Sequence, residues 1–214
     1  MISASQLAVF AALSAVLSAI PGPSVLFTIS RALTIGRRAV LFSVAGNELG
    51  LCAQVIAVAF GAGAVVERSA EVFMAVKWVG AVYIVYLGVQ AVRHRRSMAG
   101  ALAVRATPVR PLRALRDGFV VGVANPKTIV FFVITLPEFT SQAPGHLPLQ
   151  AQMLIIGALF PVIALALDSV YAVAAGTARQ WFTQSPRRLA MIGGTGGLMM
   201  IGLGVSLAAT GRKN

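Results

Sequence analysis

Long apolar stretches separated by short, mostly basic connections make up this 214-residue chain. A helix that crosses the hydrocarbon core of a bilayer needs about 20 mostly apolar residues. Six stretches reach that length, at about 5–30, 39–66, 72–92, 118–139, 149–178 and 189–209. Because helices satisfy their own backbone hydrogen bonds in lipid, the pattern predicts an all-α integral membrane bundle of six transmembrane helices, in one domain over residues 1–214.

The composition favours a membrane protein over a soluble one. Hydrophobic residues make up 57% of the chain and charged residues 11%, against roughly 25% charged in a soluble domain. The net charge of +12 does not indicate nucleic-acid binding, since the basic residues lie mostly between apolar stretches and no aromatic-basic patch occurs. A lone cysteine, Cys52, excludes an intrachain disulfide. We expect a multi-pass protein in contact with lipid, without enzymatic activity or a cofactor.

The basic residues also predict the orientation of the bundle. Of the 18 Lys and Arg residues, 13 lie in the first, third and fifth connections. The positive-inside rule places those connections in the cytoplasm and both termini in the periplasm. No Lys or Arg precedes Arg31, so the first apolar stretch is expected to be a span rather than a signal peptide.

The third connection, about 94–116, divides the chain into two halves. Half one covers about 1–96 and half two about 117–214, with three predicted spans each. An odd number of spans per half means that two similar halves lie in opposite orientations. The sequence therefore predicts two inverted-topology repeats of three helices, a layout typical of secondary transporters.

Each half begins with an interrupted helix. Pro21-Gly22-Pro23 lies in the first span and Asn125-Pro126-Lys127 in the fourth, and proline removes a backbone donor and clashes with the preceding turn. Matching breaks in two halves indicate a substrate site. The alternative is a pair of ordinary proline kinks with Lys127 reaching the headgroups.

The depth of the two breaks does not fit a strict inversion. Gly22 lies nine residues before Arg31, and Pro126 lies nine after Asp117. Continuous helices would put both breaks toward the cytoplasm, whereas inverted repeats put them on opposite sides. Either the broken helices shift in depth or the two motifs are not symmetry mates.

Two acidic residues, Glu48 and Asp168, lie within apolar stretches. A carboxylate at the centre of a membrane helix costs about 2.5–3.5 kcal/mol on insertion scales, so both are candidates for a function. Asp168 shares a helix face with Tyr171, whose hydroxyl is expected within reach of the carboxylate. A buried ion pair of either acid with Lys127 is the structural alternative.

Small residues mark the second and sixth spans. Asn47 and Gln54 share a polar face of the second span, and Glu48 projects from another. Gly46 and Gly50 form a GxxxG pair that favours close helix packing. The sixth span carries Gly193, Gly197 and Gly204 on one face, which suits contact within the bundle or between copies of the chain in a homo-oligomer.

Short motifs follow one another in order along nearly the whole chain. They are Pro21-Gly22-Pro23, Ser30-Arg31, Gly36-Arg37-Arg38-Ala39, Gly46-Asn47, Lys77-Trp78-Val79-Gly80-Ala81, Tyr83 to Gly88, Asn125-Pro126-Lys127, Phe131-Phe132 and Leu136-Pro137. In this combination the chain resembles the LysE/RhtB superfamily of amino-acid exporters. The resemblance implies a bacterial inner-membrane exporter of amino acids or close derivatives, driven by the proton motive force. It also implies acids in the second and fifth spans, here Glu48, in place of a more usual aspartate, and Asp168.

The resulting hypothesis is alternating access around a polar cavity at the two breaks. Freed carbonyls bind the substrate amino group, and Lys127 with helix-terminal amides holds the carboxylate. Substrate contacts are expected from Pro21, Gly22, Pro23, Asn47, Gln54, Asn125, Pro126, Lys127 and Tyr171, and proton coupling from Asp168 and Glu48.

The main alternative is a cation or metal-ion exporter of similar architecture, in which the two acids and Asn47 supply oxygen ligands. The sequence has no His/Cys cluster, and Lys127 lies at the presumed site, so no metal site is expected. A thiol-electron carrier would need a second cysteine. A membrane scaffold without transport would tolerate neutral replacements of both acids.

Overall fold

The computed structural model describes residues 3–35, 37–66, 70–94, 109–141, 147–178 and 185–209. Every regular element within these ranges is an α-helix, which confirms the all-α prediction. Most of the basic connection 94–116 and Gly36 lie outside the described residues. The helices are α1 (Ala4–Ala19), α2 (Pro23–Ile35), α3 (Arg37–Val66), α4 (Ala70–Arg93), α5 (Pro111–Val123), α6 (Pro126–Glu138), α7 (Leu149–Gly157), α8 (Leu159–Thr177) and α9 (Pro186–Ala209).

Both predicted breaks separate two helices. The axes of α1 and α2 differ by 52°, and so do those of α5 and α6. Pro23 and Pro126 each stand in a first helical turn, where the missing donor costs nothing. Asn125 caps α6, because its side chain accepts a hydrogen bond from the backbone amide of Lys127 at 3.2 Å. Local chemistry therefore ends one helix and begins the next at each motif.

The breaks lie near the middle of their helix pairs. α1 has 16 residues and α2 has 13, while α5 and α6 have 13 each. The depth of the two breaks relative to the cytoplasm stays a prediction. Arg31 of α2 and Asp117 of α5 both lie inside helices and pair with each other.

The two bent pairs cross each other. α1 packs on α6, where the ring of Phe10 lies 5.8 Å from that of Phe131 and 5.5 Å from that of Phe139. α2 meets α5 through the ion pair of Arg31 with Asp117. Each half thus places its first helix against the second helix of the other half's pair.

Length and composition mark several helices as candidate membrane spans. Ala39–Gly61 and Leu149–Thr177 are long and apolar enough by themselves, and each bent pair forms a further candidate. α4 and α9 pack against each other beside them. The count of six spans in two repeats stays a prediction.

Glycines bring two pairs of helices into backbone contact. A Cβ on Gly46 would overlap the Leu115 carbonyl, and one on Gly118 or Gly122 would overlap the backbone of α3. Gly197 faces Gly88 of α4 in the same way. The prediction that Gly46 and Gly50 mark close helix packing is confirmed. The described glycines of α9 that contact α4, Gly197 and Gly204, do so within the same chain. A homo-oligomer stays a prediction.

Apolar side chains cover the outer surface, while polar ones lie inside. Phe60, Val79 and Val82 are at least 65% exposed. Fourteen polar or charged side chains of the described residues are buried, among them Glu48 and Lys127. This distribution is the reverse of a soluble domain's and fits helices surrounded by lipid.

Candidate functional site

The buried polar residues meet in a narrow cavity where the two breaks face each other. About 20 Å³ is open to the centre of a water molecule, which is room for about one water. The break between α1 and α2 forms one wall, and α3, α6 and α8 form the others. The lining residues are Ser18, Ser24, Val25, Asn47, Leu51, Asn125, Lys127, Thr128, Phe160, Ala164 and Asp168.

Lys127 binds the end of α1. Its Nζ donates hydrogen bonds to the carbonyl oxygens of Leu17, at 3.0 Å, and Ile20, at 2.9 Å. These carbonyls lie at the helix end, where the following prolines offer no donors and a cation is favoured. The Lys127 side chain is 3% exposed, so the alternative in which it reaches the headgroups is wrong.

Tyr171 also binds the first break. Its hydroxyl donates to the Ala19 carbonyl at 2.8 Å. The expected contact with Asp168, one turn away on α8, is replaced by this bond across to α1. Together Lys127 and Tyr171 supply donors to three carbonyls at the end of α1. The Leu17 carbonyl also accepts a hydrogen bond from the Ile20 amide at 3.2 Å.

Asn47 connects the second break to both acids. Its Nδ2 donates to Glu48 Oε1 at 3.0 Å and to Asp168 Oδ2 at 3.4 Å. Its Oδ1 accepts from Ser24 Oγ at 3.0 Å, and that hydroxyl accepts from Asn125 Nδ2 at 2.7 Å. One hydrogen-bonded chain thus runs from α6 through α2 and α3 to α8.

The two acids are buried but differ in their surroundings. Asp168 is 3% exposed and lines the cavity. Glu48 is 6% exposed and lies behind Asn47, and its Oε2 has no hydrogen-bond partner among the described residues. In the same part of the chain, ion pairs join Asp117 to Arg31 and to Arg116. Lys127 makes no direct ion pair with either acid.

Gln54 binds the second break. Its Nε2 donates to the carbonyls of Gly122, at 2.8 Å, Val123, at 3.0 Å, and Asn125, at 3.1 Å. Its Oε1 accepts from Thr128 Oγ1 at 2.7 Å. One side chain of α3 therefore binds the break between α5 and α6, as Lys127 and Tyr171 bind the end of α1.

The Asn47 side-chain oxygen does not face the two acids, where a cation would need a ligand. The amide nitrogen faces both carboxylates, and the oxygen is taken by the Ser24 hydroxyl. A metal ion between the acids would need oxygen atoms there. The arrangement suits ligands that carry both donors and acceptors.

Comparison with known proteins identifies the family. The family profile described as LysE type translocator matches residues 15–211. The chain belongs to the LysE translocator family. It is 32% identical to an uncharacterized membrane protein of Vibrio cholerae over 90% of this chain and 91% of that protein.

Two further relatives of this LysE-family chain have named activities. A homoserine/homoserine lactone efflux protein of Salmonella typhimurium is 29% identical over 92% of each chain. A leucine efflux protein of Salmonella choleraesuis is 22% identical over 88% of each chain. No solved structure gives a significant match.

The structure of the LysE-family chain brings most of the predicted site residues together. Asn47, Asn125, Lys127 and Asp168 line one cavity, and the prolines of both motifs flank it. Pro21 also packs its carbonyl against Gly196 of α9. Gln54 and Tyr171 lie beside the cavity with their side chains bound to backbone. The substrate-binding and proton-coupling roles of all the predicted site residues stay predictions.

Several residues of the site were not predicted from the sequence. Ser24 and Thr128 each directly follow a break motif, and hydroxyl residues there provide hydrogen bonds to freed backbone groups. Ser18 lines the cavity with an oxygen that has no hydrogen-bond partner among the described residues. The spacing of Gly118 and Gly122 repeats the GxxxG pattern of the second span and could have predicted the contact of α5 with α3.

Proposed function

We propose that this LysE-family protein exports small amino acids or close derivatives across the bacterial inner membrane, by proton antiport and alternating access. One observation carries the proposal: the broken end of α1 binds an ammonium group in a cavity that also contains a carboxylate, Asp168. An amino acid presents an ammonium of the same chemistry. The named activities of the two Salmonella relatives support this substrate class.

The size of the cavity supports a moving site. Room for about one water cannot hold an amino acid, so the helices around the two breaks must separate for substrate to enter. Helix ends offer suitable groups for both ends of the substrate. Carbonyls at the end of α1 suit the ammonium, and backbone amides at the starts of α2 and α6 suit the carboxylate.

Charge balance supports proton coupling. Glu48, Asp168 and Lys127 are buried close together, with two negative groups to one positive. Unbalanced charge in an apolar interior is costly, and one proton on either acid removes the excess. We assign the coupled proton to Asp168, which lines the cavity, or to Glu48, which joins it through Asn47.

The orientation is part of the proposal. Six spans in two inverted repeats form a single transporter domain, with the basic connections in the cytoplasm and both termini in the periplasm. The crossing of the bent pairs supports this arrangement. On it, Arg31 and Asp117 lie between the cavity and the cytoplasmic surface.

Efflux from proteoliposomes under an imposed proton gradient tests the proposal. Labelled homoserine, leucine and other amino acids are compared with small cations in counterflow. We expect D168N or E48Q to lose stimulation by the gradient and to retain counterflow, since exchange needs no net proton movement. E138Q is the matched control, because Glu138 is an exposed acid at the end of α6.

Different results contradict different parts. Cation movement without amino-acid movement in the wild-type protein overturns the substrate class and favours the cation exporter. Full stimulation by the gradient in both D168N and E48Q overturns the assignment of the proton to these acids.

A further inference from the structure

We propose that Lys127 is a built-in competitor of the substrate: its ammonium fills a primary-ammonium site at the end of α1, and the substrate ammonium displaces it. The inference rests on the proposed function for the identity of the incoming ligand. The site itself rests on the contacts of Lys127.

The α1 site has the chemistry of a primary-ammonium site. Lys127 Nζ bonds to two carbonyl oxygens at 2.9 and 3.0 Å, and an ammonium has three donors. Within the described residues no acceptor takes the third donor, which leaves it for the cavity. The α-ammonium of an amino acid offers three donors on the same tetrahedral nitrogen.

The surroundings are fitted to a nitrogen at this position. A Cβ on Gly22 would lie 3.2 Å from Lys127 Nζ and 3.3 Å from its Cδ and Cε, so glycine leaves the space that the lysine end fills. Ser18 Oγ, 4% exposed and without a hydrogen-bond partner in the described structure, lines the same cavity. Asp168 supplies the negative charge.

Two ammonium groups cannot share these carbonyls. The cavity has room for about one water, and like charges repel strongly where little water screens them. Substrate loading and release of Lys127 are therefore one event. In the empty carrier, Lys127 keeps a positive charge near Asp168, so the unloaded protein does not leave this carboxylate without a nearby cation.

This assignment differs from the role that the sequence suggests for Lys127. A lysine that holds the substrate carboxylate contributes to binding, so its removal weakens binding. A lysine that competes for the ammonium site opposes binding, so its removal strengthens it. The sign of the effect separates the two roles.

The first test removes the end of the Lys127 side chain and supplies it again as a small molecule. K127A removes three carbons and the nitrogen, which together correspond to propylammonium. We expect propylammonium at about ten times its Kd to raise the unfolding midpoint of purified K127A by about 3 °C and to leave the wild-type midpoint unchanged. Tetramethylammonium, which has no N–H donor, and 1-propanol are the controls. Equal shifts from propylammonium and tetramethylammonium overturn the proposal.

The second test uses K127M, which keeps most of the side-chain volume and decides the matter if K127A does not fold. Removal of the competitor is expected to lower the Kd of homoserine and leucine about tenfold. N-acetyl-leucine, which lacks the ammonium, should gain nothing. Unchanged or weaker amino-acid binding in K127M overturns the competitor role. If the wild-type protein and K127M both bind no amino acid, the proposed function fails, and the propylammonium test still decides the nature of the site.

Discussion

Arg31 of α2 and Asp117 of α5 form an ion pair between the first helix pair and the second. Both side chains are 22% exposed, so the pair lies at the edge of the bundle rather than in its interior. Arg116 adds a longer contact to the same carboxylate at 3.4 Å. The pair joins α2 to α5 at that edge.

Reversing one charge of this pair should destabilise the contact between α2 and α5. We expect R31D and D117R each to lower the free energy of unfolding, with a coupling of about 1 kcal/mol between the two positions. The double swap R31D/D117R should recover most of the loss. Thermal unfolding of the four proteins in detergent gives the coupling energy, and a value near zero would show that the pair does not hold α2 to α5.

Loss of the Gln54 side-chain amide should destabilise the protein through the second break. Q54L leaves three carbonyls and the Thr128 hydroxyl without their shared partner, so we expect a loss of about 2 kcal/mol or more. The control is Q90L, because Gln90 donates only to Tyr86 on the surface of α4. Equal stabilities of Q54L and Q90L would contradict the role assigned to Gln54.

An alanine at Gly118 should separate α3 from α5. Its Cβ would overlap the Ser43 carbonyl, and backbone cannot move aside as a side chain can, so we expect a loss of about 1–3 kcal/mol. G202A is the matched control, since a Cβ on Gly202 would meet nothing within 4 Å. That variant should be neutral or slightly more stable, because alanine favours a helix. The two unfolding midpoints decide the matter.

Removal of the Ser24 hydroxyl should interrupt the chain of hydrogen bonds from Asn125 to Asn47. We expect S24A to slow gradient-driven efflux about tenfold, with a stability loss of about 1 kcal/mol. S14A is the control, because the buried Ser14 bonds only to the Phe10 carbonyl of its own helix. A normal rate in S24A would remove this chain of hydrogen bonds from the mechanism.

The breaks could be predicted from the sequence because proline acts locally. Pro23 and Pro126 restrict their own backbone and that of the residue before them, whatever surrounds them. The position of Glu48 and Asp168 within apolar stretches is likewise visible from the residues next to them along the chain. These features need only the nearest residues along the chain.

Partners across the bundle could not be predicted in this way. Lys127 binds carbonyls 110 and 107 residues away, and Tyr171 binds one 152 residues away. Spacing along one helix shows which residues lie on the same face of that helix, but not which other helix packs against that face. The sequence therefore placed Tyr171 beside Asp168, whereas the end of α1, close by in space, offered an unpaired carbonyl.

The glycine contacts constrain how the cavity opens. α3 and α4 belong to half one, and they are joined by backbone contact to α5 and α9 of half two. Rocking of the two halves as separate rigid bodies would break both of these contacts. Under the proposed alternating access, we expect the motion that admits substrate to leave these seams intact and to bend between α1 and α2 and between α5 and α6, so that each moving part combines helices from both halves.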